Sequence, residues 1–205
     1  MDRYRSRRPR RGPGAPASDA HRLNAQKLIV YPGARNGHTH SHTFRLVRSA
    51  LKKLLPVARD LGVQVLIEPV FTNRRNWDCL QVEQYTSLLE QFDAEDLGIV
   101  LDLFNVGFSD SIERNLDRFS ERIQLLQISD GRIRNHELVR CLPGDGEIPI
   151  QDWMKKIKSL GYSGDIEIEL HGFEFEDSDY LATFGECEAF VSKLVPDVIP
   201  SLSSR

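Results

Sequence analysis

Short apolar runs alternate along this chain with longer segments in which apolar residues recur every three or four positions. The first pattern is typical of buried strands, and the second is typical of amphipathic helices. The predicted strands are 28–31, 63–70, 97–104, 123–128 and 166–170. The predicted helices are 44–61, 81–92, 111–119, 150–160 and 180–194. A regular alternation of strands with helices predicts parallel βα units.

The strand runs are almost continuously apolar, which is expected of strands that helices cover on both faces. The pattern predicts an α/β fold, a partial TIM (β/α) barrel with about five of the eight βα units. An open doubly wound sheet is the alternative, but the segment YPGARNG is a poor match to its Gly-rich phosphate loop. A long loop is predicted over 129–147, and Pro56 is expected to kink or break its helix.

One oxygen-bearing side chain lies near the end of each of four predicted strands. These side chains are Glu68, Asp102, Gln127 and Glu169. Because the carboxyl ends of parallel strands meet at one face, we expect the four to converge, and their oxygens suit a hard divalent cation. Asp102 is the strongest candidate, since a lone carboxylate in an apolar strand is costly unless it is paired or bound to metal.

Each of these residues also has a purely structural interpretation. Glu68 and Glu169 are strand-end carboxylates of the kind that pair with arginine, and Gln127 is able to bond a neighbouring backbone group. Glu167 shares a strand face with Glu169 and is predicted to pair within the barrel wall. Asp130 is either a second-layer partner of the site or a plain turn residue.

Further polar residues lie on the loops that follow the strands. The candidates for substrate binding among them are His38, His40, Arg132, Arg134 and His171. The alternating histidines of GHTHSH would share one face in a strand, although a flexible polar loop is equally open. The two arginines are suited to a carboxylate or phosphate, with solvated loop arginines as the alternative.

Composition narrows the class of protein. The 205 residues are enough for one large domain, and 40% hydrophobic with 28% charged residues is ordinary for a soluble globular protein. A net charge of -3 argues against nucleic acid as a partner. Three widely spaced cysteines without a CxxC pair fit a reducing cytoplasm. No apolar stretch approaches the ~20 residues of a membrane span.

Composition also divides the chain. Residues 1–25 are rich in Arg, Pro, Gly and small residues, which predicts a disordered basic tail with few groups to bury. Its arginines are either contacts for an anionic surface or simply solvated. The barrel is predicted over residues 26–197 and a flexible end over 198–205.

Five segments in order resemble the sugar phosphate isomerase/epimerase superfamily, the xylose-isomerase-like TIM barrels. They are GVQVLIEP, LGIVLDLFN, IQLLQISDGR, LPGDGEIPIQDW and GYSGDIEIEL, and the resemblance covers about Lys27 to Pro196. It implies that Glu68, Asp102, Gln127 and Glu169 hold one divalent metal ion, Mn²⁺, Mg²⁺ or Co²⁺.

This chain departs from the superfamily at two positions. Gln127 replaces the usual histidine ligand, which is similar to the pattern of the 3-dehydroshikimate dehydratase branch. Asn105 stands where the superfamily often has a substrate-binding histidine, so we expect it in the pocket.

The resemblance implies a metal-dependent isomerase or epimerase of a sugar or sugar phosphate. Glu68 and Glu169 would stand on opposite sides of the reacting carbon and move a proton next to a carbonyl through an enediolate. Dehydration of the 3-dehydroshikimate type and a non-catalytic barrel fragment are the alternatives. The apurinic endonuclease branch needs three zinc ions and many histidine ligands, and this chain lacks that ligand set.

The chain is short for a complete barrel, because 205 residues fall below the ~250 that are typical. Three explanations are open. We favour the first, that three preceding βα units are missing from the sequence. The others are that the chain pairs with another chain as a homo-oligomer, or that the fold opens into a curved sheet. Two unpaired sheet edges predict a poorly soluble or oligomeric product.

Overall fold

The computed structural model describes residues 12, 14–70, 79–135, 137–171, 175 and 179–194. The predicted flexible end over 198–205 lies outside these residues, as do six arginines of the predicted tail, Arg3, Arg5, Arg7, Arg8, Arg10 and Arg11. None of the helices in this described part combines the length and apolar character that a membrane crossing requires.

A five-stranded parallel sheet, curled into a half-barrel, organises the fold. Its strands are β1 (Lys27–Val30), β2 (Gln64–Ile67), β3 (Leu97–Asp102), β4 (Ile123–Ile128) and β7 (Asp165–Ile168). Their order is β1-β2-β3-β4-β7, and every neighbouring pair is parallel. The predicted fold class, a partial TIM barrel with parallel strands, is therefore confirmed.

Eight α-helices connect and cover these strands in the described part of the chain. They are α1 (Ala15–Arg22), α2 (His40–Asp60), α3 (Val82–Gln91), α4 (Leu103–Val106), α5 (Asp110–Arg114), α6 (Leu116–Phe119), α7 (Ile150–Ser159) and α8 (Tyr180–Leu194). The main core packs the outer face of the sheet against the helices. A separate small cluster, Leu66, Val100 and Leu125, lies on the other face, inside the curl.

The segment predicted as a long loop begins as an antiparallel hairpin. Strand β5 (Asp130–Arg134) pairs with β6 (Glu137–Cys141), and Asn135 takes a positive φ of 51° in the turn. The loop prediction was wrong for these residues because charged side chains interrupt the apolar alternation that identifies a strand. The hairpin carries Arg140, on β6, toward the carboxyl ends of the parallel strands.

Helix α1 lies within the segment predicted as a disordered tail. Its Ala17 and Ala20 are buried, and the helix contacts α2 and β1. Alanine supplies little hydrophobic signal, yet its small side chain allows close helix packing. Pro16 is tolerated because it occupies the first turn, where a backbone N–H has no helical partner.

Helix α2 is longer than predicted at its amino end and is not broken at its proline. It begins at His40, where the Thr39 side chain accepts a hydrogen bond from the His42 amide. It then continues through Pro56 to Asp60. Pro56 is exposed, and so is Lys52, whose carbonyl loses its helical partner. The single helix predicted over 111–119 is instead two short helices, α5 and α6, which meet at Asn115.

Candidate active site

The four polar residues predicted at strand ends lie at the carboxyl edge of the half-barrel. Glu68 follows β2, Asp102 ends β3, Gln127 is the next-to-last residue of β4, and Glu169 follows β7. Asp102 and Gln127 are register partners in neighbouring strands. Parallel strands thus bring together residues that are up to about a hundred positions apart in the sequence.

Asn105 connects two of the carboxylates. Its Nδ2 donates to Glu68 Oε1 at 2.6 Å and to Asp102 Oδ2 at 2.9 Å. Its position depends on the turn into α4, which Asp102 caps by accepting the Phe104 amide on Oδ1 at 2.9 Å. All three polar side chains are buried, with Asp102 at 0% exposure. The asparagine expected in the pocket therefore lies between the carboxylates of the site.

Arg140, on β6, is a buried cation in this cluster that sequence reasoning missed. Its Nη2 lies 3.3 Å from Asp102 Oδ2, and its Nη1 lies 3.1 Å from Glu169 Oε2. The same Nη1 donates to the Glu169 backbone oxygen at 2.6 Å and to Ser129 Oγ at 2.7 Å. The guanidinium carbon lies 4.2 Å from the centre of the Phe104 ring, a cation–π contact.

The arginines that the sequence singled out lie elsewhere on the same hairpin. Arg132 donates through Nε to the backbone oxygen of Asp145, and Arg134 is exposed. Nothing local distinguishes Arg140 from them except its position opposite Gly131, which has no side chain to block it. An excess of carboxylates at strand ends indicates that a basic partner is needed, but only long-range pairing identifies which one.

Gln127 has one satisfied and one unsatisfied amide atom. Its Nε2 donates to Glu167 Oε1 at 2.6 Å. Its Oε1 is fully buried and has no hydrogen-bond partner among the described residues. A buried acceptor without a partner is uncommon and costly, so this oxygen marks a place where a donor or a cation would be stabilised.

Asp130 anchors the loop that follows the hairpin. Its Oδ1 accepts the Gly131 amide at 2.8 Å and the Ile148 amide at 3.0 Å, and its Oδ2 accepts the Gly144 amide at 3.0 Å. Gly146 passes so close to this carboxylate that an added Cβ would lie 2.1 Å from Oδ1. Asp130 therefore acts as an anchor for the loop that succeeds β6, the strand that bears Arg140.

The histidines are placed by helix α2 and by the chain after β7. Because α2 starts at His40, the histidines do not share the face of a strand; the His38 and His42 rings instead lie 4.6 Å apart. His40 is half-buried at the start of the helix. His171 is exposed and lines a cavity of about 150 Å³ beside Tyr180 and Phe184.

Burial and crowding of like charges alter proton affinity in the site. Burial, followed by the charges of Asp102 and Glu169, raises the pKa of Glu68 to about 8, although the Asn105 hydrogen bond opposes the shift. Burial likewise raises the pKa of Asp102 against the opposing influence of Arg140. Burial also raises the pKa of the Tyr31 phenol, and the charges of the carboxylates raise it further. Tyr31, which follows β1 and is 45% exposed, thus lies within the electrostatic reach of the three carboxylates.

The formal charges of the cluster leave an excess of two negative charges when all groups are ionised. Glu68, Asp102 and Glu169 contribute three negative charges, and Arg140 contributes one positive charge. A divalent cation would neutralise the remainder. Within the described part of the chain, no three His, Cys, Asp or Glu side chains are already spaced as ligands of one ion. The carboxylates instead direct their oxygens to Asn105 and Arg140.

Comparison with known proteins identifies relatives of this fold. The family model described as "Xylose isomerase-like TIM barrel" matches residues 17–183. An uncharacterized protein of Methanocaldococcus jannaschii is 23% identical over 158 residues, which cover 73% of this chain and 52% of that protein. The chain thus spans about half the length of this relative.

Solved structures share the same fold at low sequence identity. The IolI protein with a bound zinc atom superposes with a TM-score of 0.75 at 17% identity, covering 90% of this chain and 68% of that one. An L-ribulose 3-epimerase superposes with a TM-score of 0.69 at 15% identity, covering 92% of this chain and 69% of that one.

Proposed function

Because this chain belongs to the xylose isomerase-like TIM barrel family, we propose that it isomerises or epimerises a small carbohydrate with one divalent metal ion. The observation that carries the proposal is the meeting of three carboxylates with an amide whose buried oxygen lacks a partner among the described residues. The similarity of the fold to a 3-epimerase and to a zinc-containing protein supports it.

The residues that would hold the metal are Glu68, Asp102, Gln127 and Glu169. Their oxygens are the donors that Mg²⁺ and Mn²⁺ prefer, and Co²⁺ also accepts them. The charge excess and the unpartnered Gln127 oxygen fit a dication, provided the carboxylates turn from Asn105 and Arg140. A bound metal would polarise the substrate carbonyl as a Lewis acid.

The two glutamates would divide the proton transfer. Burial and the nearby like charges give Glu68 a high affinity for a proton, with a pKa of about 8 in the metal-free protein. Glu169 is paired with Arg140 and its side chain is 32% exposed, so it is the more accessible base. We assign proton removal next to the carbonyl to Glu169 and proton return to Glu68, with the roles exchanged in the reverse reaction.

Substrate contacts are proposed for residues around this cluster. Asn105 and Arg140 are the buried donors nearest the carboxylates and would bind substrate oxygens. The contacts proposed on the rim are His38, His40, Arg132, Arg134 and His171.

The direct test is exchange of the hydrogen next to a substrate carbonyl. The protein is incubated in D₂O with Mn²⁺, Mg²⁺ or Co²⁺ and a panel of pentuloses, hexuloses and their phosphates, and deuterium uptake is followed by NMR. With at least one ketose, we expect deuterium uptake and the appearance of a new epimer or aldose. In EDTA we expect no deuterium uptake and no new sugar. Metal binding without exchange on any ketose would favour the non-catalytic fragment.

Dehydration is the second candidate, and Gln127 in the place of the usual histidine ligand favours it. The same enediolate can expel a β-hydroxyl in place of accepting a proton. Adding 3-dehydroshikimate to the same metal-loaded protein distinguishes the two reactions, since dehydration creates an aromatic product with a new ultraviolet absorbance.

Metal binding at pH 7 is expected to release about 0.9 proton from Glu68, because a carboxyl with a pKa of about 8 is mostly protonated there. Calorimetric titration in buffers of different ionisation enthalpy measures this number. Identical heats in all buffers would contradict it.

The same raised pKa affects the stability of the metal-free protein. The folded chain holds a proton on Glu68 that the unfolded chain gives up. The contribution of Glu68 to the free energy of unfolding is therefore fully present below its ordinary pKa of 4.5, and it is lost as the pH rises through about 8.

A further inference from the structure

We propose that Glu167 is a positioning residue, which fixes the amide of Gln127 so that Oε1 and not Nε2 is presented to the carboxylate cluster. The consequence for metal binding rests on the proposed function, whereas the orientation itself does not. Glu167 is predicted from the sequence to pair within the barrel wall. Its partner in the structure is Gln127, and its proposed role is to orient the amide of that residue.

The two residues are held opposite each other by the sheet. Gln127 on β4 and Glu167 on β7 are register partners in neighbouring parallel strands. The hydrogen bond between Gln127 Nε2 and Glu167 Oε1 measures 2.6 Å, which is short for N–H···O and typical of a charged acceptor. Gln127 is 3% exposed, while Glu167 is exposed, so the carboxylate retains its hydration.

The chemistry of the pair permits one orientation of the amide. An ionised carboxylate only accepts hydrogen bonds, and the amide NH₂ only donates. A flipped amide would place two oxygens against each other at the same short distance, with no proton between them. Glu167 therefore orients the NH₂ group toward β7 and leaves Oε1 on the side of β3, where Asp102 is the register partner.

This orientation explains the unpartnered oxygen of Gln127. A buried amide that was free to turn would be expected to satisfy its acceptor, because a buried acceptor without a partner is costly. Glu167 offsets that cost with a charge-assisted bond on the other side of the amide. The charge of Glu167 also polarises the amide and makes Oε1 a stronger ligand for a hard cation.

The first experiment measures the affinity for Mn²⁺ by calorimetry and by the EPR signal of the free ion. We expect Glu167→Gln to weaken binding by about tenfold or more, because the introduced amide both donates and accepts and so permits either orientation of the Gln127 amide. The matched control is Glu188→Gln, which removes the same charge from an exposed position on α8 and is expected to leave the affinity unchanged.

The background of Gln127→Ala separates positioning from simple charge. If Glu167 acts through the amide, Glu167→Gln adds no further loss of Mn²⁺ affinity once the amide is absent. If it acts only by its negative charge, the same loss appears in both backgrounds, and the positioning role is overturned. An affinity of Glu167→Gln within twofold of the wild type would also overturn it.

A second experiment measures thermal unfolding in EDTA and does not depend on metal. Gln127→Glu places two carboxylates opposite each other and is expected to lower Tm by about 5 °C. Adding Glu167→Gln restores a donor between the two side chains, and we expect at least half of the loss to be recovered. Equal stability of Gln127→Glu and the wild type would refute the contact.

The two experiments distinguish this inference from the proposed function. If the wild type binds no divalent ion but Glu167→Gln restores the stability of Gln127→Glu in EDTA, the metal site is refuted and the oriented amide is retained. If the wild type binds Mn²⁺ but Glu167→Gln restores no stability to Gln127→Glu, the oriented amide is refuted and the metal site is retained.

Discussion

Asp102→Ala is expected to abolish metal-dependent turnover, with a loss of at least about 10³-fold in kcat/KM. Asp102 lies at the centre of the site, because Asn105, Arg140 and the start of α4 all bond to it. Removal of a fully buried carboxylate eliminates one proposed metal ligand and the group that aligns its neighbours. Several kcal/mol of transition-state stabilisation corresponds to this factor.

Asp102→Asn tests the same prediction with less risk to folding, since its amide oxygen can still accept the Phe104 amide that caps α4. Circular dichroism confirms the fold, calorimetry measures metal affinity, and deuterium uptake measures turnover. Asp117→Asn, which removes a charge from an exposed position on α6, is the control. Full turnover in folded Asp102→Asn would end the proposal.

Glu169→Gln belongs to the same experiment and is expected to retain shape while losing proton transfer. Loss of a general base costs about 10²–10⁴-fold in rate. The Arg140 hydrogen bond survives in this variant, because the amide oxygen of glutamine is also an acceptor. Undiminished deuterium uptake would contradict the assignment of Glu169 as the base.

Arg140→Met is expected to lower the free energy of unfolding by about 3 kcal/mol at pH 8 in EDTA. The guanidinium is the one cation observed against Asp102 and Glu169 in the described part of the chain, and it is 5% exposed. Methionine fills a similar volume against Phe104 but leaves the buried carboxylates without a counter-charge. Urea unfolding followed by circular dichroism measures the change.

The destabilisation should depend on pH and on metal. Without Arg140 the pKa of Asp102 rises further, so the folded variant takes up a proton and the loss is smaller at pH 5 than at pH 8. A saturating divalent ion should recover part of the loss by supplying positive charge. Arg118→Met, which breaks an exposed pair with Glu90 at 3.6 Å, is expected to change stability by less than about 0.5 kcal/mol. An equal effect of both substitutions would contradict a special role for Arg140.

The strands and the four polar residues at their ends could be predicted from sequence because their signals are local. An apolar run that follows a glycine identifies a buried strand such as β2, which comes after Gly62, and the alternation with helices makes the sheet parallel. Parallel strands place their carboxyl ends at one edge of the sheet. The order of strands and helices along the chain is therefore enough to predict that Glu68, Asp102 and Glu169 meet there. Their role as metal ligands stays a prediction.

The elements that sequence reasoning missed have weak local signals. Helix α1 buries two alanines, whose contribution to a hydrophobic pattern is small. The hairpin β5–β6 alternates with charged side chains and resembles an irregular loop. In each case, contacts with distant parts of the chain stabilise a structure that the local pattern does not require.

By itself the sequence determined the class of fold, the order of the parallel strands along the chain and the edge of the sheet at which the four polar residues lie. Only the tertiary structure decided which neighbours those residues have. It selected Arg140 over two other arginines of one hairpin, placed Asn105 between two carboxylates, and turned the Gln127 amide with Glu167. The physical reason is range: a strand's periodicity is encoded in adjacent residues, whereas charge pairing and amide orientation depend on side chains that meet only after folding.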